Sequence, residues 1–320
     1  MKLYTFVRNG VQRLGAAYGD GQMVDLLAAS QGDPRLASMM SLIEAGDGGL
    51  DAARTLVADP APDTLIAVKG LTLAAPIPRP PKMRGFSVFE QHIRQSAHGA
   101  AQRLAIGDAP SSEHPMSASL SRDDIPSPGW YLMPGYYLMD AGTVTGHDCE
   151  ISWPHYSDWV DYELEIVAVI GTSGRDILVD DASKHIFGYT LVNDLSARDA
   201  QLKAMGTGLG VGKGKDFDQS NPMGPCIVTA DEIADPYALN ARVLINGVEW
   251  SSSNGRNARY HFNECIAYAS ASEMIHAGDL FASGTLPNSS SLELQRDVKR
   301  GDTIDFEVER IGNLRARIAR

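Results

Sequence analysis

The chain has 320 residues, 43% hydrophobic and 21% charged, a composition typical of a soluble globular protein with one large domain or a large and a small one. Its net charge of −12 argues against a protein that binds nucleic acid through a basic face. It has no apolar run approaching about 18 residues, no signal-peptide pattern and three cysteines without a CxxC motif. We therefore expect a cytoplasmic protein that does not span a membrane and has no disulfide framework or structural zinc.

The first 76 residues have the pattern of a small β-rich domain. Apolar segments separated by tight-turn pairs such as Asn9-Gly10 predict short strands over 2–27. Two helices are predicted at 34–45 and 50–57, and a further strand at 71–75. Four prolines between Pro76 and Pro81 exclude a helix or a central strand, so we divide the chain there, into domains 1–76 and 82–320.

The second part opens with a predicted helix at 87–105 and an irregular loop at 108–135. Farther on, strands predominate without regular alternation with helices, which favours an antiparallel or mixed sheet over a doubly wound fold. Strands are predicted at 161–170, 186–193, 225–229, 241–246, 279–284 and 302–310, and helices near 195–205 and 262–276.

The stretch DYELEI places three carboxylates, Asp161, Glu163 and Glu165, on one face of a predicted strand. Neighbours on that face are roughly 7 Å apart, and at an effective dielectric of ~20 each repulsion costs about 2 kcal/mol. A solvated edge strand would tolerate this charge, but Val167 and Val169 continue the same face, which indicates that it enters the interior. Carboxylates so placed suit a hard cation such as Mg²⁺ or Mn²⁺.

A second polar stretch, LVNDLSARDAQ, follows a predicted strand. Ser196 and Asp199 have the spacing of a capping box, and a helix would present Asp194, Arg198 and Gln201 on one face. One interpretation is a surface Asp–Arg pair with a helix cap. The other is a third metal ligand beside a cation and an amide that face a substrate.

A third stretch, GLGVGKGKDF, is rich in glycine but fits neither GxxxxGK[ST] nor GxGxxG, so a phosphate-binding loop is excluded. We expect a flexible loop that delivers Lys213 or Lys215 to a site; a solvated basic loop is the alternative for Lys213.

Seven ordered blocks between Lys82 and Ile318 resemble the fumarylacetoacetate hydrolase family: RGFSVFEQH, MPGYY, DYELEIVAVIG, NDLSARDAQ, GKDF…MGPCIVT, SGTLPNSSSLEL and IGNLRAR. The resemblance implies a mixed, β-rich α+β fold: a main domain built as a mixed β-roll, preceded by a small SH3-like β-domain. It also implies a homodimer, with a small 2-oxo or diketo acid as ligand.

The resemblance also implies the roles of individual residues. The metal pair corresponds to Glu163 and Glu165, with Asp194 as the third ligand of Mg²⁺ or Mn²⁺, and Ca²⁺ as an alternative. The other implied site residues are His92 as general base, Glu293 as the residue that orients it, Lys215, Gln201 and Arg198 as catalytic groups, and Tyr136, Gly284 and Thr285 as substrate contacts.

Three positions depart from the family pattern. A fourth metal ligand of fumarylacetoacetase, an aspartate seven residues before the histidine, is Gly85 here, from which we expect weaker metal binding. Gln219 stands where a threonine is common. TLPNSSS replaces a glycine-rich sequence after Gly284, so the substrate contacts of the family are least applicable to this segment.

The implied activity is hydrolysis of a C–C bond in a β-diketo acid, such as an acylpyruvate, a fumarylpyruvate or a diketo sugar acid, through an enolate held by the metal. Decarboxylation, isomerisation or hydration of a 2-oxo acid on the same scaffold is one alternative. A catalytically silent small-molecule binding protein is the other.

Overall fold

The computed structural model of the protein describes residues 1–106 and 125–320. The predicted loop at 108–135 therefore lies partly outside the described residues, and its described part contains a short 3-10 helix at Pro128–Tyr131. Within the described ranges no helix is both long and apolar enough to cross a membrane.

Strands make up most of the regular structure. Those predicted beyond residue 160 are all present, although several begin or end at different residues. The strands are β1 Lys2–Arg8, β2 Val11–Tyr18, β3 Gln22–Asp25, β4 Leu65–Ala67, β5 Thr72–Leu73, β6 Met83–Phe86, β7 Tyr136–Met139, β8 Val144–Thr145, β9 Cys149–Ile151, β10 Val160–Asp161, β11 Leu164–Ile170, β12 Ile186–Asn193, β13 Ser196–Ala197, β14 Asn221–Thr229, β15 Ala241–Ile245, β16 Val248–Ser253, β17 Leu280–Ala282, β18 Thr303–Val308 and β19 Gly312–Ile318.

One large sheet contains most of these strands, in the order β4-β3-β2-β1-β14-β12-β11-β17-β6-β7, with β5 beside β1 and β8 beside β14. Its neighbours are mostly antiparallel, but β6 runs parallel to β17 and β8 parallel to β14. A second sheet has the order β16-β15-β18-β19-β9. The predicted mixed, strand-rich fold is thus confirmed.

Strand β11 is buried on both faces and separates the two main parts of the core. Leu164, Ile166 and Ala168 pack into one apolar cluster, whereas Val167 and Val169 pack into the other. A continuous run of β-branched and aliphatic residues is typical of a strand with no solvated face. The prediction that the strand face of Glu163, Glu165, Val167 and Val169 enters the interior is therefore confirmed.

Two short structures connect the sheets to the functional region. The pair β10–β13 sets Asp161 opposite Ser196, and Glu163 forms an isolated antiparallel bridge with Ser290. These contacts bring the chain before β11, the chain after β12 and the segment around residue 290 to one place.

Within residues 1–106 and 125–320, the helices are short apart from two. Residues 34–36, predicted as part of a helix at 34–45, form a separate 3-10 turn, and the predicted helices are joined into one element interrupted at Gly46, where φ is 56°. The helices are α1 Leu26–Ala29, α2 Met39–Ala58, α3 Glu90–Ile106, α4 Arg198–Met205, α5 Phe262–Ser270 and α6 Ser291–Leu294.

The N-terminal strands continue the large sheet, because β1 pairs with β14 through Lys2↔Val228 and Leu3↔Ile227. Leu3 is fully buried, in the same cluster as Val167 and Ile227. The division into 1–76 and 82–320, with an SH3-like first domain, stays a prediction.

Leu3→Ala tests whether the two parts unfold together. We expect a loss of about 2–5 kcal/mol, as for other buried leucines, and a lower denaturant midpoint in tryptophan fluorescence, since all four tryptophans lie beyond residue 82. Leu138→Ala, in the same sheet but 61% exposed, is the control and should change stability by less than about 0.5 kcal/mol. An unchanged tryptophan midpoint in Leu3→Ala would show that the parts unfold independently.

Candidate active site

Three buried carboxylates meet where β11 begins and β12 ends. β11 and β12 are antiparallel with Leu164 opposite Asn193, so the next residue, Asp194, lies beside Glu163 and donates its backbone N–H to the Glu163 carbonyl at 3.0 Å. One oxygen each of Glu163, Glu165 and Asp194 lies within 4.8 Å of the others. The three side chains predicted as metal ligands are therefore brought together, and we call them the acidic triad.

The donor chemistry of the triad fits a hard divalent cation. It consists of carboxylate oxygens on side chains that are almost inaccessible, and such groups require a counter-charge. Burial, together with the charges of Asp194 and Glu163, raises the pKa of Glu165 well above its usual value, and burial raises the pKa of Asp194. Burial also opposes ionisation of Glu163, but Arg198, Lys215 and His92 outweigh it and hold its pKa below the usual range.

Arg198 joins the triad to the fourth carboxylate, Asp161. Its Nη2 lies 2.5 Å from Asp161 and 2.6 Å from Glu163, and its Nη1 donates to the Gln201 side chain at 2.9 Å. Asp161 also accepts the Ser291 backbone N–H at 2.7 Å. Asp161 thus lies outside the triad and positions Arg198 and helix α6.

The predicted capping box of helix α4 is wrong. The residue at the N-cap is Ala197, and its side chain makes no cap. Ser196 instead lies in β13, where β10 pairs with it, and the Asp199 carboxylate accepts the Ser157 hydroxyl and the Asp158 N–H. Ser196 and Asp199 therefore do not cap α4, because Ser196 pairs with β10 and Asp199 binds the loop that contains Ser157.

Lys215 enters the site because the glycine loop lies directly on α4. A Cβ on Gly214 would be 2.3 Å from the Gln201 Cα, so only glycine fits. The Lys215 ammonium lies 2.5 Å from Glu163 and 2.7 Å from Asp194 and is buried with them. Lys213 points elsewhere and donates to the Asp216 carbonyl oxygen. Of the two predicted lysines, only Lys215 reaches the site.

His92 and Glu293 form a pair at the edge of the triad. The Glu293 carboxylate lies 3.1 Å from His92 Nδ1, and Glu163 lies 3.6 Å from Nε2. Burial opposes a charge on His92, but Glu293 and Glu163 raise its pKa. Glu293 is itself held by the Ser290 N–H at 2.9 Å in a capping box of α6. The departure TLPNSSS therefore supplies the serine that fixes Glu293.

The predicted substrate contacts also line the site. The Gly284 N–H donates to Glu165 at 3.0 Å, and the Thr285 hydroxyl lies 3.5 Å from the same carboxylate. Tyr136 lies beside Phe86, with 5.1 Å between the ring centroids. Their binding of a substrate stays a prediction, and the first two also hold Glu165 in place.

Tyr137 is a site residue that sequence analysis missed. Its hydroxyl donates to Asp194 at 2.6 Å, and it lies opposite Gly85 in the β6–β7 pair. A Cβ on Gly85 would be 2.6 Å from the Tyr137 ring. The tyrosine thus occupies the space beside Gly85, where the resemblance implies an aspartate. The only signal in the sequence is the adjacent pair of tyrosines in MPGYY.

A cavity of about 880 Å³ opens over the triad. It is lined by the predicted site residues other than Glu293, which lies behind His92, and by apolar side chains of α3 and α4. The arrangement joins a cation site, a histidine with a carboxylate partner, and room for an organic acid.

Comparison with known proteins identifies relatives over most of the chain. The family described as fumarylacetoacetate (FAA) hydrolase C-terminal matches residues 106–319. Oxaloacetate tautomerase fahd2, mitochondrial, of Xenopus laevis is 29% identical over 305 residues, which cover 94% of this chain and 84% of the relative. Oxaloacetate tautomerase YisK of Bacillus subtilis is 29% identical over 286 residues, 87% of this chain and 85% of the relative.

Solved structures share the fold. Fumarylacetoacetate hydrolase from Exiguobacterium antarcticum has a TM-score of 0.72 at 24% identity, covering 100% of both chains. Maleylpyruvate hydrolase from Sphingobium sp. SYK-6, solved with manganese(II) and pyruvate, has a TM-score of 0.73 at 23% identity, covering 100% of this chain and 99% of that one. At this identity the likeness establishes the common fold.

Glu165→Gln tests the cation site without removing a buried charge. Because the raised pKa favours a neutral Glu165, the amide should leave the unfolding midpoint of the metal-free protein nearly unchanged. A cation at about 100 times its Kd should stabilise the parent by about 2.7 kcal/mol, and the variant should lose this gain in thermal unfolding with Mg²⁺ or Mn²⁺. Glu150→Gln, at an exposed position, should keep it. Equal stabilisation of both variants would remove Glu165 from the site.

Cation affinity should rise with pH. Because the pKa values of Glu165 and Asp194 are raised in the folded protein, their protons stabilise the metal-free fold below the unfolded pKa, and that contribution is lost as pH rises. A cation must displace these protons, so its affinity should increase by up to about tenfold per pH unit for each proton released. Calorimetry at a series of pH values above the usual carboxyl pKa measures this slope, and a flat profile would contradict it.

Proposed function

The chain belongs to the fumarylacetoacetate hydrolase family, and we propose that it is a divalent-cation-dependent enzyme that hydrolyses a C–C bond of a β-diketo acid, an acylpyruvate being the simplest case. The resemblance inferred from residues 82–318 is thereby confirmed at the level of the family. The cation is proposed as Mg²⁺ or Mn²⁺ on the triad, and the homodimer and the cytoplasmic location stay predictions.

The observation that carries this proposal is the His92–Glu293 pair beside the triad. An imidazole whose Nδ1 is held by a carboxylate has its other nitrogen available to take a proton from water. The resulting hydroxide attacks the carbonyl carbon farther from the substrate carboxylate. The bond between that carbon and the central carbon then breaks, its electron pair remains as the enolate of pyruvate, and the other product is a carboxylic acid. The proton that His92 took from water then converts the enolate to pyruvate.

Charged and polar groups around the triad lie where they can stabilise the negative charge that develops in this reaction. A bound divalent cation supplies positive charge that stabilises an enolate leaving group. Glu163, Glu165 and Asp194 would hold it, while Lys215, Arg198 and the Gln201 amide place donors at the edge where negative charge develops on the attacked carbonyl oxygen. Tyr136 and Thr285 are proposed to contact the acid end of the substrate.

A second candidate is tautomerisation of a 2-oxo acid, and the long matches to oxaloacetate tautomerases favour it. This reaction also needs a cation and a base that moves a proton, but no attacking water. The His92–Glu293 pair favours hydrolysis, because tautomerisation has no attacking water to activate, and the products of the two reactions distinguish them.

The discriminating experiment incubates the protein and Mg²⁺ with acetylpyruvate, and separately with freshly dissolved enol oxaloacetate. Hydrolysis predicts acetate and pyruvate in equal amounts from acetylpyruvate. Tautomerisation alone predicts faster loss of the enol absorbance of oxaloacetate with no C–C cleavage. Release of CO₂ would indicate a decarboxylase, and thermal stabilisation without any product would indicate a silent binding protein.

His92→Asn should lower kcat by about 10²–10⁴-fold, the usual contribution of a general base, while cation-induced thermal stabilisation persists. His98→Asn is the matched control, since His98 lies on the same helix but is exposed, and should keep full activity. Full turnover in His92→Asn would exclude His92 as the base.

A further inference from the structure

The cavity over the triad changes character along helix α3. Its ionisable lining residues Glu163, Glu165, Asp194, Arg198 and Lys215 lie at one end, where Arg198 and Lys215 pair with Glu163 and Asp194. Away from them the cavity continues between α3 and α4 as a passage with apolar walls, which we call the apolar branch.

The walls of the apolar branch come from one face of each helix. Ile93, Ser96, Ala97 and Ala100 lie along the inner side of α3, and Leu202 and Met205 along that of α4. The spacing of these residues along each helix is that of a single face. The Ser96 hydroxyl lies 3.3 Å from His92 Nδ1, on the side of the triad. From His92 to Ala100 the helix advances roughly 12 Å, at 1.5 Å per residue, so the branch can take an extended substituent.

The floor of the branch is a packed apolar cluster. Ala100, Trp159 and Leu292 are buried against one another, and Leu202 packs onto them. Helix α3 is fixed close to α6, since a Cβ on Gly99 would be 2.4 Å from the Leu292 carbonyl oxygen, and Gln95 donates to Asn288 at 2.9 Å. The wall is therefore formed before a ligand arrives.

Among residues 1–106 and 125–320, no arginine or lysine lines the branch beyond Arg198 and Lys215, and His92 lies at its triad end beside Glu293. Of the two arginines of α3, Arg94 pairs with Glu90, and Arg103 pairs with Asp297 and lies 4.5 Å above the Trp159 ring. A carboxylate in the branch would lose water without gaining a partner, which is unfavourable. An alkyl or aryl group has no hydrogen bonds with water to lose, and its burial in the branch is favourable.

We propose that the substrate carries an uncharged apolar tail that lies between α3 and α4, over Ala97, Ala100 and Leu202. This inference rests on the proposed function, whose substrate class it narrows to acylpyruvates with alkyl or aryl acyl groups. Diketo acids with a second terminal carboxylate are disfavoured.

Binding of unreactive 2-oxo acid analogues tests the inference without turnover. The probes are oxamate, N-ethyl oxamate, N-butyl oxamate and N-(3-carboxypropyl) oxamate, in which a carboxylate replaces the terminal methyl group. With Mn²⁺ present, calorimetry should show affinity rising about fourfold for each added methylene that becomes buried. The carboxylated probe should bind at least tenfold more weakly than N-butyl oxamate. Equal affinities, or tighter binding of the carboxylated probe, would overturn the inference.

Two variants locate the tail. Leu202→Lys places a cation in the branch and should reverse the preference between the butyl and carboxypropyl probes, whereas Leu178→Lys, at a leucine that is 69% exposed and outside the cavity, should not. Ala97→Leu narrows the branch and should weaken N-butyl oxamate while leaving oxamate unchanged, which keeps the test valid if the lysine variant does not fold. Unaltered butyl binding in both branch variants would show that the tail lies elsewhere.

Kinetics separate this inference from the proposed function. Butanoylpyruvate should be hydrolysed with a higher kcat/KM than succinylpyruvate, its carboxylated counterpart. If no acylpyruvate is hydrolysed but N-butyl oxamate still binds more tightly than oxamate, the hydrolase proposal is wrong and the apolar tail is supported. If acylpyruvates are hydrolysed and succinylpyruvate is preferred, the hydrolase proposal is supported and the apolar tail is wrong.

Discussion

Compensation of buried charge is the constraint on which the site depends. Four carboxylates, Asp161, Glu163, Glu165 and Asp194, lie in the interior with the guanidinium of Arg198 and the ammonium of Lys215. Removing one partner from such a network leaves an uncompensated charge and costs about 3–5 kcal/mol. Because these residues come from β10, β11, the end of β12, α4 and the glycine loop, the same interactions that balance charge also fix these elements relative to one another.

Sequence patterns predicted the acidic part of the site well, for a physical reason. Alternation along a strand placed Glu163 and Glu165 together, and the buried valines after them excluded a solvated face. Asp194 follows a strand that pairs antiparallel with β11, so a ligand 29 residues beyond Glu165 in the chain becomes its neighbour. The approximate strand positions followed from equally local signals, the runs of Val, Ile and Leu.

What local patterns did not predict is set by pairing between distant segments. The position of Glu293 depends on the bridge between Glu163 and Ser290. Ser196, expected to cap a helix, instead pairs with β10. The role of Tyr137 depends on its register against Gly85. Likewise, the joining of β1 to β14 connects residues more than 220 positions apart, which no short window of sequence encodes.

The contact between Gly85 and Tyr137 also restricts how such a site can evolve. With 2.6 Å between an added Cβ and the ring, a side chain at position 85 requires the ring of Tyr137, which is hydrogen-bonded to Asp194, to shift. A lineage that gains an aspartate at 85 must therefore move or replace the tyrosine, and the two positions should tend to vary together among descendants of this chain. One arrangement has Gly85 with Tyr137, and the other has an aspartate at position 85 without that ring position. A single substitution at position 85 would first give a less stable protein in which the two side chains are in conflict.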